Sequence, residues 1–163
     1  MKRLLPVLLA LSVFSCAGAQ SSYFGLHIDG VGSLNPGSII PLAGLQLGGP
    51  VTENVELRVS GLVLLLVNFL QVDVLYTHSL SDTLRGYGGV GGDVGSVAFY
   101  DDGTIFGLHA TVGVEYGMGS GIGLFSEVQP LYVLHAPEYL LSGDPDSGLG
   151  FFGKLNLGVN FHF

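Results

Sequence analysis

Phe151-Phe-Gly-Lys-Leu-Asn-Leu-Gly-Val-Asn-Phe-His-Phe163 closes the chain, and its alternation decides the fold. Leu155, Leu157, Val159, Phe161 and Phe163 are large and apolar, while Lys154, Asn156, Gly158, Asn160 and His162 are polar or small. Successive side chains leave a pleated backbone on opposite sides, so a period of two means a strand with one oily and one wet face. Seven earlier segments repeat the pattern. Residues 23–29 set Phe24, Leu26 and Ile28 against Gly25, His27 and Asp29. Residues 39–48 set Ala43, Leu45 and Leu47 against Gly44 and Gln46, and Gly48-Gly49-Pro50 then reads as a tight turn. From residue 54 to about 65, Val55, Leu57 and Val59 oppose Glu56, Arg58 and Ser60; over 69–77, Val72, Val74 and Tyr76 oppose Gln71, Asp73 and Thr77. Residues 84–92 are too rich in Gly for their faces to be assigned. Residues 106–116 alternate cleanly, Glu115 falling on the polar side, and in 122–134 Glu127 and Gln129 share a face.

Composition selects the class. Only 11% of the 163 residues are charged, against about 25% in ordinary soluble domains. Mean hydropathy is +0.56, yet beyond the first residues the longest apolar run is 62–67, broken at Asn68. Oily composition without a helix-length run is how a transmembrane β-barrel looks in sequence. Eight strands of about ten residues suit a bilayer crossed at a tilt near 45°. The connections alternate: 48–51, 78–83 and 117–121 are compact, whereas 30–38, 94–103 and 135–150 are longer. The one near Val67-Asn68 breaks the rule, being short and oily, and is read as lying close to the lipid surface.

The front of the chain has the layout of a secretory signal peptide: Lys2 and Arg3, an apolar stretch over 4–14, then Ala17-Gly18-Ala19 before Gln20. The apolar stretch is well short of the roughly 20 residues that a spanning helix needs. The expected organisation is a signal peptide over 1–19 and a barrel domain over 20–163. Val13-Phe14-Ser15-Cys16 is the competing lipoprotein cut, with a bulky Phe14 where small residues are usual. Cleavage after Ala19 removes the only cysteine, and with it any disulfide framework.

The motif Asn156-x-Gly158-x-x-Phe161-x-Phe163 resembles the C-terminal assembly signal of bacterial outer-membrane β-barrels, which the barrel-insertion machinery reads in that family. With eight alternating segments, the chain resembles the small OmpA/OmpX-type barrels. The resemblance implies an all-β, eight-stranded antiparallel up-and-down transmembrane barrel in the cell outer membrane. It further implies a monomer that contacts outer-membrane lipid and the assembly machinery and needs no cofactor or metal. Its role would be structural or surface-interacting, with external loops as the contact surface for a partner that the sequence does not name. The competing architecture is a soluble lipocalin-like carrier, apolar inside. Period two does not say which face is in, but the polar face mixes Gly with a few charges and lacks the Lys/Glu/Thr cover of a solvated surface, which favours a narrow filled lumen.

On the polar face Glu56, Arg58, Asp73, Glu115, Glu127 and Lys154 are expected to form a lumen ion network, because a buried charge persists only when paired. The expected pairs are Arg58 with Glu56 and Asp73, and Lys154 with Glu127. His109, Thr111 and Glu127 offer base, hydroxyl and carboxylate, the set used in nucleophilic hydrolysis. Outer-membrane lipid A deacylases use His, Ser and Glu on a barrel of this size, so a deacylase-like lipid-modifying enzyme is the alternative function. Here the hydroxyl is Thr, the group faces the lumen and no oxyanion donor can be named, so packing is the reading taken. His27 and Asp29 read as a polar lumen pair near the rim.

The longer connections are acidic, with Asp101, Asp102, Glu138, Asp144 and Asp146, and the formal net charge of −8 becomes −10 once Lys2 and Arg3 leave with the leader. Asp144-Pro-Asp146 lacks the remaining spacing of a calcium loop. Nucleic-acid binding is excluded, since neutralising phosphates requires many Lys and Arg and the chain has five.

Overall fold

The structure is a computed structural model that describes residues 21–33, 39–64, 67–97, 104–136 and 150–163. It contains eight strands: β1 (Tyr23–Ser33), β2 (Ile39–Thr52), β3 (Val55–Leu64), β4 (Val67–Ser79), β5 (Leu84–Val97), β6 (Thr104–Gly117), β7 (Ile122–His135) and β8 (Phe151–His162). Each pairs antiparallel with the next, and β8 returns to β1 with Tyr23 opposite His162 and Asp29 opposite Asn156, closing the barrel. Closure pairs every strand on both sides, the condition that hydrocarbon imposes on a sheet.

One end carries the compact turns. Glu53-Asn54 joins β2 to β3, residues 80–83 join β4 to β5, and 118–121 join β6 to β7. In the last, Gly119 (φ 78°), Ser120 (φ 50°) and Gly121 (φ 76°) occupy the left-handed region, which two glycines make inexpensive. The Ile122 amide there donates to the Gly119 carbonyl at 3.1 Å. Both ends of the described chain lie here too, tied by the Phe163 amide donating to the Ser22 carbonyl at 2.9 Å. The opposite end holds the other four connections, which lie outside the described residues together with the leader, Cys16 and the loop acids Asp101, Asp102, Glu138, Asp144 and Asp146.

The alternation places polar groups inside and apolar groups outside. Along β6, Phe106, Leu108, Val112, Val114 and Tyr116 are exposed while His109, Thr111 and Glu115 are buried. Leu26, Ile28, Leu45, Val72, Val74, Leu124, Val128, Leu155, Leu157 and Phe161 extend the exposed band around the barrel. This is the inverse of a soluble carrier, and it overturns the lipocalin-like alternative: the interior is charged and filled. From Phe106 to Tyr116 the strand advances about 34 Å, or about 24 Å along the normal at 45°, close to the roughly 25 Å band of transmembrane barrels.

Several strand ends differ from the sequence reading. Gly48-Gly49-Pro50 is no turn: β2 runs on to Thr52, with Gly48 opposite Arg58 and a register shift between Pro50 and Thr52 that accommodates the proline. A Cβ at Gly48 would collide with the Tyr23 ring, so the glycine is there for space. β1 extends through Gly30–Ser33 and β5 through Val94–Val97, residues that the sequence reading places in the longer connections. The faces of β5 are now plain: Tyr87 and Asp93 are buried and Val90 and Val94 exposed. β3 and β4 meet with Leu64 opposite Val67, which leaves two residues between them.

Inner glycines are hollows for large neighbours. A Cβ at Gly113 would lie 2.5 Å from the Tyr87 ring, one at Gly91 2.5 Å from His109, and one at Gly107 2.7 Å from Leu131. Ile105, Leu131 and Val133, backed by Phe69, Ala136 and Phe152, fill the lumen with apolar side chains at the end opposite the compact turns.

Candidate functional site: the charged lumen

Arg58 is the centre of the lumen. It stands on β3 and is 2% exposed, yet its Nη1 donates to Glu127 Oε2 on β7 at 2.6 Å, four strands away in a ring of eight. The same guanidinium donates through Nη2 to Glu127 Oε1 at 3.2 Å and through Nε to Asp73 Oδ2 at 3.2 Å. This fork geometry suits a planar guanidinium between two carboxylates. Glu127 also accepts from Tyr87 Oη (3.0 Å), Gln129 Nε2 (2.9 Å) and Asn156 Nδ2 (2.6 Å). The bridge therefore spans the barrel from one wall to the other.

Towards the apolar cap, His109 lies between two aspartates, with Nε2 2.6 Å from Asp73 Oδ1 and Nδ1 2.5 Å from Asp93 Oδ2. Both ring nitrogens are therefore held by carboxylates, which fixes the orientation of the imidazole. Lys154 Nζ on β8 donates to Asp93 at 3.1 Å, Gln71 to the same oxygen at 2.5 Å, and Thr111 to Asp73 at 3.1 Å. Towards the compact turns, Arg85 donates to Glu56 (2.7 Å) and Glu115 (2.9 Å), and Tyr23 donates to Glu56. Glu115 accepts from Asn160 at 2.6 Å and lies 2.6 Å from His162 Nε2. A polar mouth cavity of about 480 Å³ opens at this end, lined by Glu53, Glu56, Asp82, Arg85, Glu115 and His162 among others.

All six charges expected on the inner face are buried there: Glu56, Arg58, Asp73, Glu115, Glu127 and Lys154. Their partners differ from expectation in two cases. Glu56 serves Arg85 rather than Arg58, and Lys154 reaches Asp93 rather than Glu127. Strand adjacency misled here, because long side chains in a narrow barrel cross the lumen. His109, Thr111 and Glu127 are not brought together: the first two share Asp73, while Glu127 is bound by Arg58, Tyr87, Gln129 and Asn156. All three are buried inside and turned away from the lipid face. His27 and Asp29 do pair, at 2.6 Å. The sequence reading missed Asp93, Tyr87 and Arg85 as network members. Arg85, Tyr87 and Asp93 keep an even spacing through the glycines of β5, and that spacing was the available signal.

In the terminal strand, Asn156 is inside on Glu127, and Gly158 is a hollow whose Cβ would meet the Phe125 ring at 2.6 Å. Phe161 and Phe163 are exposed outside.

Solved structures share this barrel fold. The N-terminal β-barrel domain of Pseudomonas aeruginosa OprF superposes with a TM-score of 0.61 at 17% identity, covering 89% of this chain and 100% of that one. Neisserial surface protein A superposes with a TM-score of 0.58 at 12% identity, covering 88% and 96%. The fold is that of the small eight-stranded outer-membrane barrels. No protein-family model matches the sequence, and no curated protein does. At such identities the likeness to these barrels is one of fold, and function has to be argued from the chain itself.

Proposed function

We propose that this chain is an outer-membrane protein with a structural or surface-interaction role, a filled barrel that anchors its external connections as the contact surface. The Arg58–Glu127 bridge carries the reading: a guanidinium that reaches the opposite wall occupies the centre of the lumen with side chains. The apolar cap of Ile105, Leu131 and Val133 supports the same conclusion from the other end. Outside, the exposed aliphatic band calls for outer-membrane lipid as its solvent. Export would use the signal peptide over 1–19, and insertion would use the assembly machinery acting on Asn156, Gly158, Phe161 and Phe163. The mature barrel is read as a monomer. The four connections at the capped end then face the exterior, where their acidic residues meet the partner.

Two measurements test this together. Reconstituted into planar bilayers, the purified protein should give no steady conductance steps. On intact cells, an added protease should cut within residues 137–149 while the strands stay protected. Stable open channels, or cleavage only after the outer membrane is permeabilised, would overturn the proposal.

A further inference from the structure

The ladder between β6 and β7 is broken inside the membrane-spanning part of the wall. It runs from Gly117 opposite Gly123 to Val112 opposite Val128, then resumes at His109 opposite Leu131. The two missing pairs, Thr111 with Gln129 and Ala110 with Pro130, both need an amide donor at position 130, and proline has none. The ladder therefore offers the Ala110 carbonyl no hydrogen, at a depth where hydrocarbon offers none either. Further along the same seam, Gly107 faces Val133 but Phe106 faces His135, so Leu134 is an extra residue that disturbs the pairing again. Among the described residues every other seam pairs without interruption, apart from the shift between Pro50 and Thr52 near the compact turns.

The surroundings favour parting of the strands here. The turn at 118–121 joins β6 to β7 at one end only; at the capped end the two strands lead to β5 and to β8. On the lipid side Ala110 and Pro130 are small, and Gly153, opposite Pro130, has open space where a Cβ would lie. On the lumen side, the inner residues beyond His109 are Ile105, Gly107, Leu131 and Val133, none of them polar. His109 itself is held by Asp73 on β4 and Asp93 on β5, which anchors β6 at the border of the ion network.

We propose that the capped halves of β6 and β7 form a lateral gate in the barrel wall, parting beyond His109 so that lipid acyl chains reach Ile105, Leu131 and Val133. Opening there gives up a ladder already short of a donor. It exposes apolar side chains to a solvent as apolar as they are. The charged lumen stays shut.

The test uses the mature barrel refolded into lipid nanodiscs, with amide exchange followed by NMR. Backbone groups alternate in direction along a strand, so with residue 130 aimed at β6 the amides of Leu108, Ala110 and Tyr132 bond across this seam. Those of His109, Thr111 and Leu131 face β5 or β8 and serve as controls on the same strands. The seam amides should exchange about tenfold faster than the controls. Pro130→Ala supplies the missing donor and should remove most of that difference. A second readout reports lipid entry. The chain has no Trp, so Phe152→Trp sets a single one against Ile105, Leu131 and Val133. Brominated acyl chains should quench it, and adding Pro130→Ala should abolish most of the quenching. Should either variant fail to refold, exchange in the wild type decides. Seam amides as slow as the controls, exchange at Leu108 and Ala110 unchanged by Pro130→Ala, or a Trp that brominated chains leave bright would overturn the proposal.

Discussion

At the scale of single residues, the lumen is governed by pairing and by volume. Arg58 compensates Asp73 and Glu127 together, so Arg58→Met takes the guanidinium from two buried carboxylates at once. Removing one partner from a buried ion pair costs about 3 to 5 kcal/mol, and equilibrium unfolding by urea in lipid vesicles should show a loss of that order. The matching carboxylate change, Glu127→Gln, should cost less, because Arg58 keeps Asp73 and the single amide oxygen still accepts from either Tyr87 or Asn156. Volume gives a second contrast. Gly113→Ala would push a methyl into the Tyr87 ring and should cost about 1 to 3 kcal/mol. Gly153→Ala meets nothing within 4 Å and should stay within about 0.5 kcal/mol of wild type. Equal costs for the two alanines would mean that the inner glycines are not hollows. The sequence names these glycines but not their occupants, because Gly113 and Tyr87 meet only once β5 and β6 are paired in register.

At the scale of the strand, the alternating solvent is the quantity to measure. Spin labels placed singly along β6 should collide freely with oxygen at 108, 110, 112 and 114, and be shielded at 109, 111 and 113. A label pattern without period two would contradict the assignment of faces. Val112 is 67% exposed near the middle of that strand. Val112→Arg should therefore cost about 2 to 4 kcal/mol in the same unfolding assay, whereas the same change near a rim costs about 0 to 1. Strand identity was legible from the sequence because a half-buried strand must alternate. Strand ends were not. Polar and glycine-rich stretches such as 30–33 and 48–50 look like turns in sequence, yet they remain paired in the sheet.

For the molecule as a whole, the terminal aromatic separates assembly from stability. Phe163 is 77% exposed at the rim of the barrel, and burial of such a side chain in an interface contributes at most a couple of kcal/mol, on the order of 2. Removing Phe163 should thus sharply lower the amount of protein in the outer-membrane fraction and raise degraded material, with nearly normal refolding from urea into detergent. Normal insertion in cells would show that the residue is only a strand ending. The intact barrel should also migrate at different apparent masses unheated and boiled, since a closed sheet resists detergent until heated.

What the sequence determined alone is the strand count, the two faces of most strands and the solvent of each face. Those follow from period two, from the scarcity of charge and from the lack of a helix-length apolar run, all of which are local or compositional. Only the tertiary structure decided who pairs with whom inside. Arg58 meeting Glu127, Lys154 meeting Asp93 and His109 standing between Asp73 and Asp93 depend on closure of the ring. Closure brings opposite walls within reach of one side chain, and no spacing along the chain encodes that distance.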